Sequence, residues 1–313
     1  QYGFTALDDR FGSEWLYAWP SGSRRELFSR EGQEFKFGRS LKGDNQLIAR
    51  ITRRNSLFVS SAAQHNLEQL AAIYSFFSKL YFDLHLTPRM REIDNRLRMG
   101  VIDPREMKLL YALDTGIVDY RIIENGIVDS FRPRQRIPTQ PELPFMLDEK
   151  AFFQNLNRTQ KQGSFQFGHA AHAATVEFLE LREESTGTLR LVSLFGSIFR
   201  ALDTGSIVVI DEIDASLHTR ACEQIIALFQ SPKTNPKGAQ LIATTHDTNL
   251  LNPDTLRRDQ VWFTEKDGEG ATHLYPLTDI HTRKGDNIEK GYLQGRFGAV
   301  PFAGSVDDFI KMD

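Results

Sequence analysis

Two hydrophobic periods divide this chain. Residues 2–37 alternate. YGFTAL, EWLYAW and the pair ELFSR and EFKFG are aromatic-rich runs, broken at Asp8-Asp9, Pro20-Ser21-Gly22 and Glu31-Gly32. That pattern predicts a β meander. Trp15, Tyr17 and Trp19 fall on alternate positions, as on one sheet face, where packing is their ordinary role and base stacking the less common one. Ser56–Ser60 (SLFVS) reads as a further strand. The period then lengthens. Leu67, Leu70, Tyr74, Phe77, Leu80, Tyr81 and Leu84 make one stripe, which predicts a helix from Asn66 to Leu84 with Gln64 just before it. The arginine-rich stretch 89–100 reads as a solvated helix face. Asp103, Pro104 and Glu106 open another helix as N-cap, first-turn proline and capping-box acid, and Gly116 ends it. IVDYRIIE and IVDSF flank Asn125-Gly126 as a hairpin.

The prolines at 133, 138, 141 and 144 make 132–147 a linker. FQFGHAAH (165–172) and TVEFLELRE (175–183) read as strands. His169 and His172 lack metal-ligand spacing and are expected to be structural or exposed. Leu189, Val192, Phe195, Phe199 and Leu202 share a helix face. Ile207–Ile210 is a β-branched apolar run suited to a strand buried on both faces of a parallel sheet. A helical pattern follows at Leu217, Ala221, Ile225, Leu228 and Phe229, then the loop SPKTNPKG, then a second apolar strand, Gln240–Ala243. This is a βαβ unit with a right-handed crossover. VWFTE and THLYPL are two more strands around Asp267-Gly268. The glycine-rich tail 285–302 is expected to pack against a sheet.

Candidate chemistry collects at the strand ends. Asp211 and Glu212 follow the first strand of the βαβ unit, and Thr244-Thr245-His246-Asp247 follows the second. Ligands in open α/β sheets bind at the carboxyl ends of strands. One acid can hold Mg²⁺, which prefers oxygen ligands, while the other orients or deprotonates a water. Acids in this position also cap helices. His246 shares their edge and is a candidate phosphate contact. Glu184-Ser185-Thr186-Gly187-Thr188 opens a helix, offering backbone N–H groups and a positive dipole end to an anion.

Bulk properties narrow the class. Of 313 residues, 25% are charged and 40% hydrophobic, so the chain is globular. A net charge of −3 argues against a uniformly basic nucleic-acid binder. No apolar run approaches the roughly 20 residues of a membrane span, and no secretory h-region appears. Cys222 is the single cysteine and is expected in the core. A cytoplasmic protein fits these features.

The order IVVIDE, then Asp214-Ala215-Ser216-Leu217-His218, then Thr-Thr-His-Asp resembles the Walker B, D-loop and switch histidine of ABC-type ATPases. The form DEIDASLH is similar to AAA-type ATPases allied to SMC proteins, to the OLD family and to abortive-infection proteins of the AbiL and RloA type. Glu184–Thr188 resembles their shortened signature. The resemblance implies an α/β, ABC-type P-loop NTPase head, with a mixed sheet, flanking helices, an antiparallel β subdomain and a helical insertion. It divides the chain into a β-rich part of the nucleotide-binding lobe (1–63), a helical insertion with a hairpin (64–131), and a lobe carrying signature, Walker B, switch histidine and tail (132–313). It implies ATP and Mg²⁺ as ligands and a homodimer or higher oligomer in which two protomers sandwich two nucleotides. Asp211 would hold Mg²⁺, helped by Gln64 at the Q-loop position. Glu212 would activate water and His246 contact the γ-phosphate. Ser185 and Gly187 would complete the partner's site, and Asp214 couple the two. No G-x-x-x-x-G-K-[ST] occurs, so an upstream segment is expected to carry the P-loop. Anti-phage defence with a nuclease partner is the implied role. An SMC-like DNA repair ATPase, with DNA as partner, is the main alternative, and a non-catalytic nucleotide-binding scaffold the second.

Overall fold

The computed structural model describes residues 1–84, 90–98, 102–124, 127–131, 163–172, 175–283 and 285–300. The chain forms two compact units, Gln1–Leu80 and Tyr81–Asp313.

In the first unit, β1 (Tyr2–Ala6), β2 (Phe11–Ala18), β3 (Arg25–Glu31) and β4 (Glu34–Phe37) form the expected antiparallel meander in sequential order. The face of β2 turned to the core carries Glu14 and Leu16, and Trp15 and Tyr17 take the other. They pack there: the Trp15 indole covers Gly3, and Arg24 lies 4.0 Å over the Tyr17 ring. Three helices follow, α1 (Asn45–Ile51), α2 (Phe58–Gln64) and α3 (Glu68–Ser78). Phe28, Phe58, Ala62 and Leu70 are fully buried between sheet and helices.

The segment expected as a strand at 56–60 thus belongs mostly to helix α2. Its N-cap position, Leu57, offers no side-chain oxygen. The cap comes from across the unit: the buried Glu14 carboxylate accepts the N–H groups of Phe58 at 2.6 Å and Val59 at 3.1 Å, and the Tyr2 hydroxyl at 2.9 Å. Arg30 braces the same approach, donating to the carbonyls of Gly32 and Ser56 at 2.6 Å each. The helix expected to reach Leu84 stops at Ser78, and Tyr81–Asp83 is a strand, β5, in the second unit.

In the second unit β5 pairs in parallel with β10 (Ile207–Ile210), which pairs in parallel with β11 (Gln240–Ala243). Among the described residues this three-stranded sheet is all parallel. A separate antiparallel sheet runs β7-β6-β8-β9, built from β6 (Ile117–Glu124), β7 (Ile127–Phe131), β8 (Gly163–Ala170) and β9 (Val176–Glu180). The hairpin of the expected insertion therefore shares a sheet with the strands before the signature-like turn. Its Asn125-Gly126 turn and the 132–147 linker lie outside the described residues.

Helix α4 (Met90–Arg98) is not simply a solvated face. Ile93 and Leu97 are buried, and Arg96 donates to Glu106 at 2.5 Å and to the Val192 carbonyl at 2.8 Å. Asp103 caps α5 (Pro104–Ala112) as expected, through the Arg105 N–H at 2.8 Å, while the Glu106 side chain goes to Arg96.

The centre of the unit is α6 (Thr186–Thr204). Leu189, Val192, Phe195, Phe199 and Leu202 are all buried, and so are Leu191, Leu194, Ile198 and Ala201. Apolar burial nearly all round marks an interior helix. Each fully buried large side chain contributes about 1.5–3 kcal/mol, which gives the site a rigid support. Helix α7 (Thr219–Gln230) follows β10 and packs Ala221, Ile225 and Leu228 into the same core. The last strands, β12 (Trp262–Lys266) and β13 (Thr272–Pro276), form a hairpin, over which the tail and its helix α8 (Ile288–Leu293) fold. Phe263 stacks on Tyr292 at 5.5 Å and on Phe297 at 6.0 Å, and the Tyr275 hydroxyl donates to the Phe297 carbonyl at 2.8 Å. Packing is thus what the described part of the tail does.

Candidate functional site

The register of the parallel sheet sets the site. Ile210 lies opposite Ala243 on one side and Asp83 on the other. The three strands therefore end together, bringing Asp83, Asp211-Glu212 and Thr244-Thr245-His246 to one edge.

The turn leaving β10 is tied down on both flanks. The Asp211 N–H donates to the Asp83 carbonyl at 2.9 Å, and the Ile213 N–H to the Thr244 carbonyl at 3.0 Å. The Thr244 hydroxyl donates to Asp211 Oδ1 at 2.5 Å and accepts the Glu212 N–H at 2.8 Å. Within the turn, Glu212 and Ser216 adopt left-handed backbone conformations, with φ of 48° and 61°. Such a conformation costs a non-glycine residue about 1–2 kcal/mol. A net hydrogen bond is worth about 0.5–1.5 kcal/mol, so the contacts around Glu212 are of the size needed to hold it.

The turn aims Glu212 at the next strand. Its Oε1 lies 3.8 Å from His246 Nε2; the two side chains are 37% and 84% exposed. Both are open to a ligand. The His246 N–H points back to Asp214 Oδ1 at 3.3 Å. Asp247 then anchors the strand end to α7, accepting the Thr219 hydroxyl at 2.5 Å and the side chain and N–H of Asn249 at 2.7 and 3.0 Å. Partial burial pulls its carboxyl pKa up, but these hydrogen bonds outweigh that and hold it below the usual range. Behind the turn, burial and the nearby Asp214 and Asp247 charges push the Cys222 thiol up to about 12, so it stays protonated.

The Glu184–Thr188 turn meets the turn after β10 at Ser216. Ser185 is the N-cap of α6, its Oγ accepting the Thr188 N–H at 3.0 Å. The Thr186 and Gly187 N–H groups belong to the first turn, where a helix supplies no acceptor of its own. A Cβ on Gly187 would sit 2.7 Å from the Ser216 carbonyl oxygen, so only glycine lets the two turns approach this closely. Glu184, with a side chain 2% exposed, takes His169 Nε2 at 2.8 Å; His169 is structural, and His172 is exposed. One turn along α6, the buried Arg190 donates to Asp83 Oδ1 at 2.7 Å and to the Asp211 carbonyl at 3.3 Å.

The structure thus brings Asp211, Glu212, Asp214 and His246 together, with Gly187 against their turn. Gln64 belongs to the other compact unit, exposed at the last residue of α2. Sequence reasoning missed Thr244, Asp83 and Arg190. Arg190 did leave a signal: an arginine inside an apolar stretch of helix, which demands a buried partner. Chemically, the edge offers a hard oxygen donor, a second carboxylate able to polarise water, a histidine at contact range, and a helix N-terminus.

No curated protein is similar enough to this chain to count as a relative. Residues 1–252 match the profile of a protein family, a span that includes both strand ends of the site and the Ser185–Thr188 turn. By that match the chain belongs to the AAA-domain family described as "AAA domain, putative AbiEii toxin, Type IV TA system".

Proposed function

We propose that this chain is the hydrolytic part of a dimeric, ABC-type ATPase acting in anti-phage defence with a nuclease partner. The observation that carries the reading is the shared strand edge, where Asp211 and Glu212 end β10 and His246 follows β11, 3.8 Å from Glu212. Family membership supports an AAA-type ATPase in a toxin–antitoxin or abortive-infection setting.

Asp211 fits Mg²⁺, which binds one or two carboxylates and completes its shell with waters and phosphates. Bound Mg-ATP would supply the electrophilic γ-phosphorus and neutralise charge on its oxygens. Glu212 would take the proton of the attacking water. His246 would donate to the γ-phosphate, and its 84% exposure leaves room for one. Ser185 and the Gly187 N–H would serve the nucleotide of the partner protomer, with Asp214 linking the two sites. Among the described residues β11 pairs only with β10, and Ile242 on it is 55% exposed. Parallel strands are normally covered on both faces. A further segment of the protein, carrying G-x-x-x-x-G-K-[ST] behind a strand, suits that edge.

Mixing tests the sandwich. Full protein carrying Ser185→Arg, combined with protein carrying Glu212→Gln, should regain about one working site per mixed dimer. Absence of recovery at every mixing ratio would refute a site shared between protomers.

A further inference from the structure

One residue bonds to four consecutive residues of the acidic turn. Thr244, directly after β11, donates its N–H to the Ile210 carbonyl at 3.1 Å and accepts the Ile213 N–H at 3.0 Å. Its hydroxyl takes the two residues between, Asp211 Oδ1 at 2.5 Å and the Glu212 N–H at 2.8 Å. Any residue but proline can make the first pair of bonds. The second pair needs one side-chain atom that donates and accepts at once, which a hydroxyl on Cβ provides.

The direction of each bond follows from its partner. A carboxylate only accepts, so the single hydroxyl proton goes to Asp211. The Glu212 N–H only donates, so it meets an oxygen lone pair. One oxygen of Asp211 is thereby committed, which restrains rotation of the carboxylate. The Glu212 amide is held where its backbone is left-handed, at φ 48°, and that conformation sets the direction of its side chain towards His246.

We propose that Thr244 is the positioning residue of this site, its hydroxyl orienting Asp211 and locking the left-handed backbone of Glu212 in a water-activating pose. The proposal rests on the reading of Glu212 as the acid that activates water. Thr244 is exposed, so exchange of its hydroxyl for a methyl leaves no buried polar group behind and should not unfold the chain. Threonine also holds its χ1 more stiffly than serine, so serine should keep the function with some loss.

The test has two arms. In the full protein, steady-state ATP turnover is compared for wild type, Thr244→Ser, Thr244→Val and Glu212→Gln. Misplacement of a reacting group by about an ångström costs on the order of 10²-fold. Thr244→Val should therefore lose about 10- to 100-fold in kcat, with KM for ATP changed by less than about threefold, and Thr244→Ser should stay within about fivefold of wild type. In the 313-residue chain itself, hydrogen exchange over the 211–217 turn should quicken in Thr244→Val and not in Thr244→Ser. Wild-type kcat in Thr244→Val overturns the proposal, as does equal damage from valine and serine or a loss confined to KM. If wild type and Glu212→Gln are equally inactive, the ATPase reading fails. Exchange then decides the positioning claim alone: unchanged protection in Thr244→Val sinks it, and faster exchange rescued by serine upholds it.

Discussion

The same substitution at two glycines of α6 should move stability in opposite directions. Gly196 lies in the interior of the helix, and a Cβ there would meet Arg96 at 3.5 Å, an ordinary contact. Alanine restricts the unfolded chain and favours the helix, so Gly196→Ala should stabilise by about 0.5–1 kcal/mol. Gly187, in the first turn, has at most that propensity to gain, and its Cβ would stand 2.7 Å from the Ser216 carbonyl oxygen. Ordinary carbon–oxygen contacts begin at roughly 3.3 Å. Something must shift by about half an ångström, and the obstacle is backbone, in a residue already left-handed at φ 61°. Overpacking of this kind costs about 1–3 kcal/mol. Set against the propensity gain, Gly187→Ala should destabilise by about 0.5–2 kcal/mol. Urea unfolding followed by far-ultraviolet circular dichroism, with a common slope for the three proteins, measures both changes. If Gly187→Ala stabilises as much as Gly196→Ala, the close approach of the two turns is wrong. The same contact means that a lesion at Gly187 disturbs the acids of its own chain, so Ser185 is the cleaner choice for mixing experiments.

Three further outcomes are expected. Arg190→Met leaves Asp83 buried without its cation (the two side chains are 1% and 11% exposed). It should cost about 3–5 kcal/mol, most of which Arg190→Met with Asp83→Leu recovers; a loss below about 1 kcal/mol on urea unfolding would contradict the pair's role. Cys222, held protonated by burial, should resist a thiol-disulfide reagent at pH 8 in the folded chain and react on unfolding in urea; fast native reaction would refute its placement. Asp247 has a folded pKa below its unfolded value of about 3.9. Its contribution is therefore present above that value and lost as pH falls through the folded value. Asp247→Asn should be less stable than wild type at neutral pH and converge with it in acid. A pH-independent difference would remove the carboxylate from the account.

What could be read from sequence depended on how local the cause was. β10, β11, α6 and α7 announce themselves by apolar spacing, and Asp211, Glu212 and His246 follow from their strand ends. Helix α2 escapes the local pattern because its cap, Glu14, stands 44 residues away from Phe58. β5 merges with a helical stripe in the sequence because three residues are too few to display alternation. With β5 hidden, Asp83 had no strand end to mark it, and Arg190 had no visible partner. The Ser185–Thr188 turn was legible as a helix start, but its contact with Ser216 depends on the approach of two segments and no local pattern encodes it. Thr244 was in plain view beside His246; its importance lies in bonds that only the paired strands create.

The most direct test of the central claim is ATP turnover by the full protein with Glu212→Gln. The amide keeps the shape of the side chain and loses its basicity. A general base contributes about 10²–10⁴-fold, so turnover should fall by that much while nucleotide affinity survives and the closed, nucleotide-bound dimer accumulates on size exclusion with Mg-ATP. Hydrolysis at the wild-type rate would make Glu212 a carboxylate of the turn alone and contradict the assignment of this strand edge as a hydrolytic site.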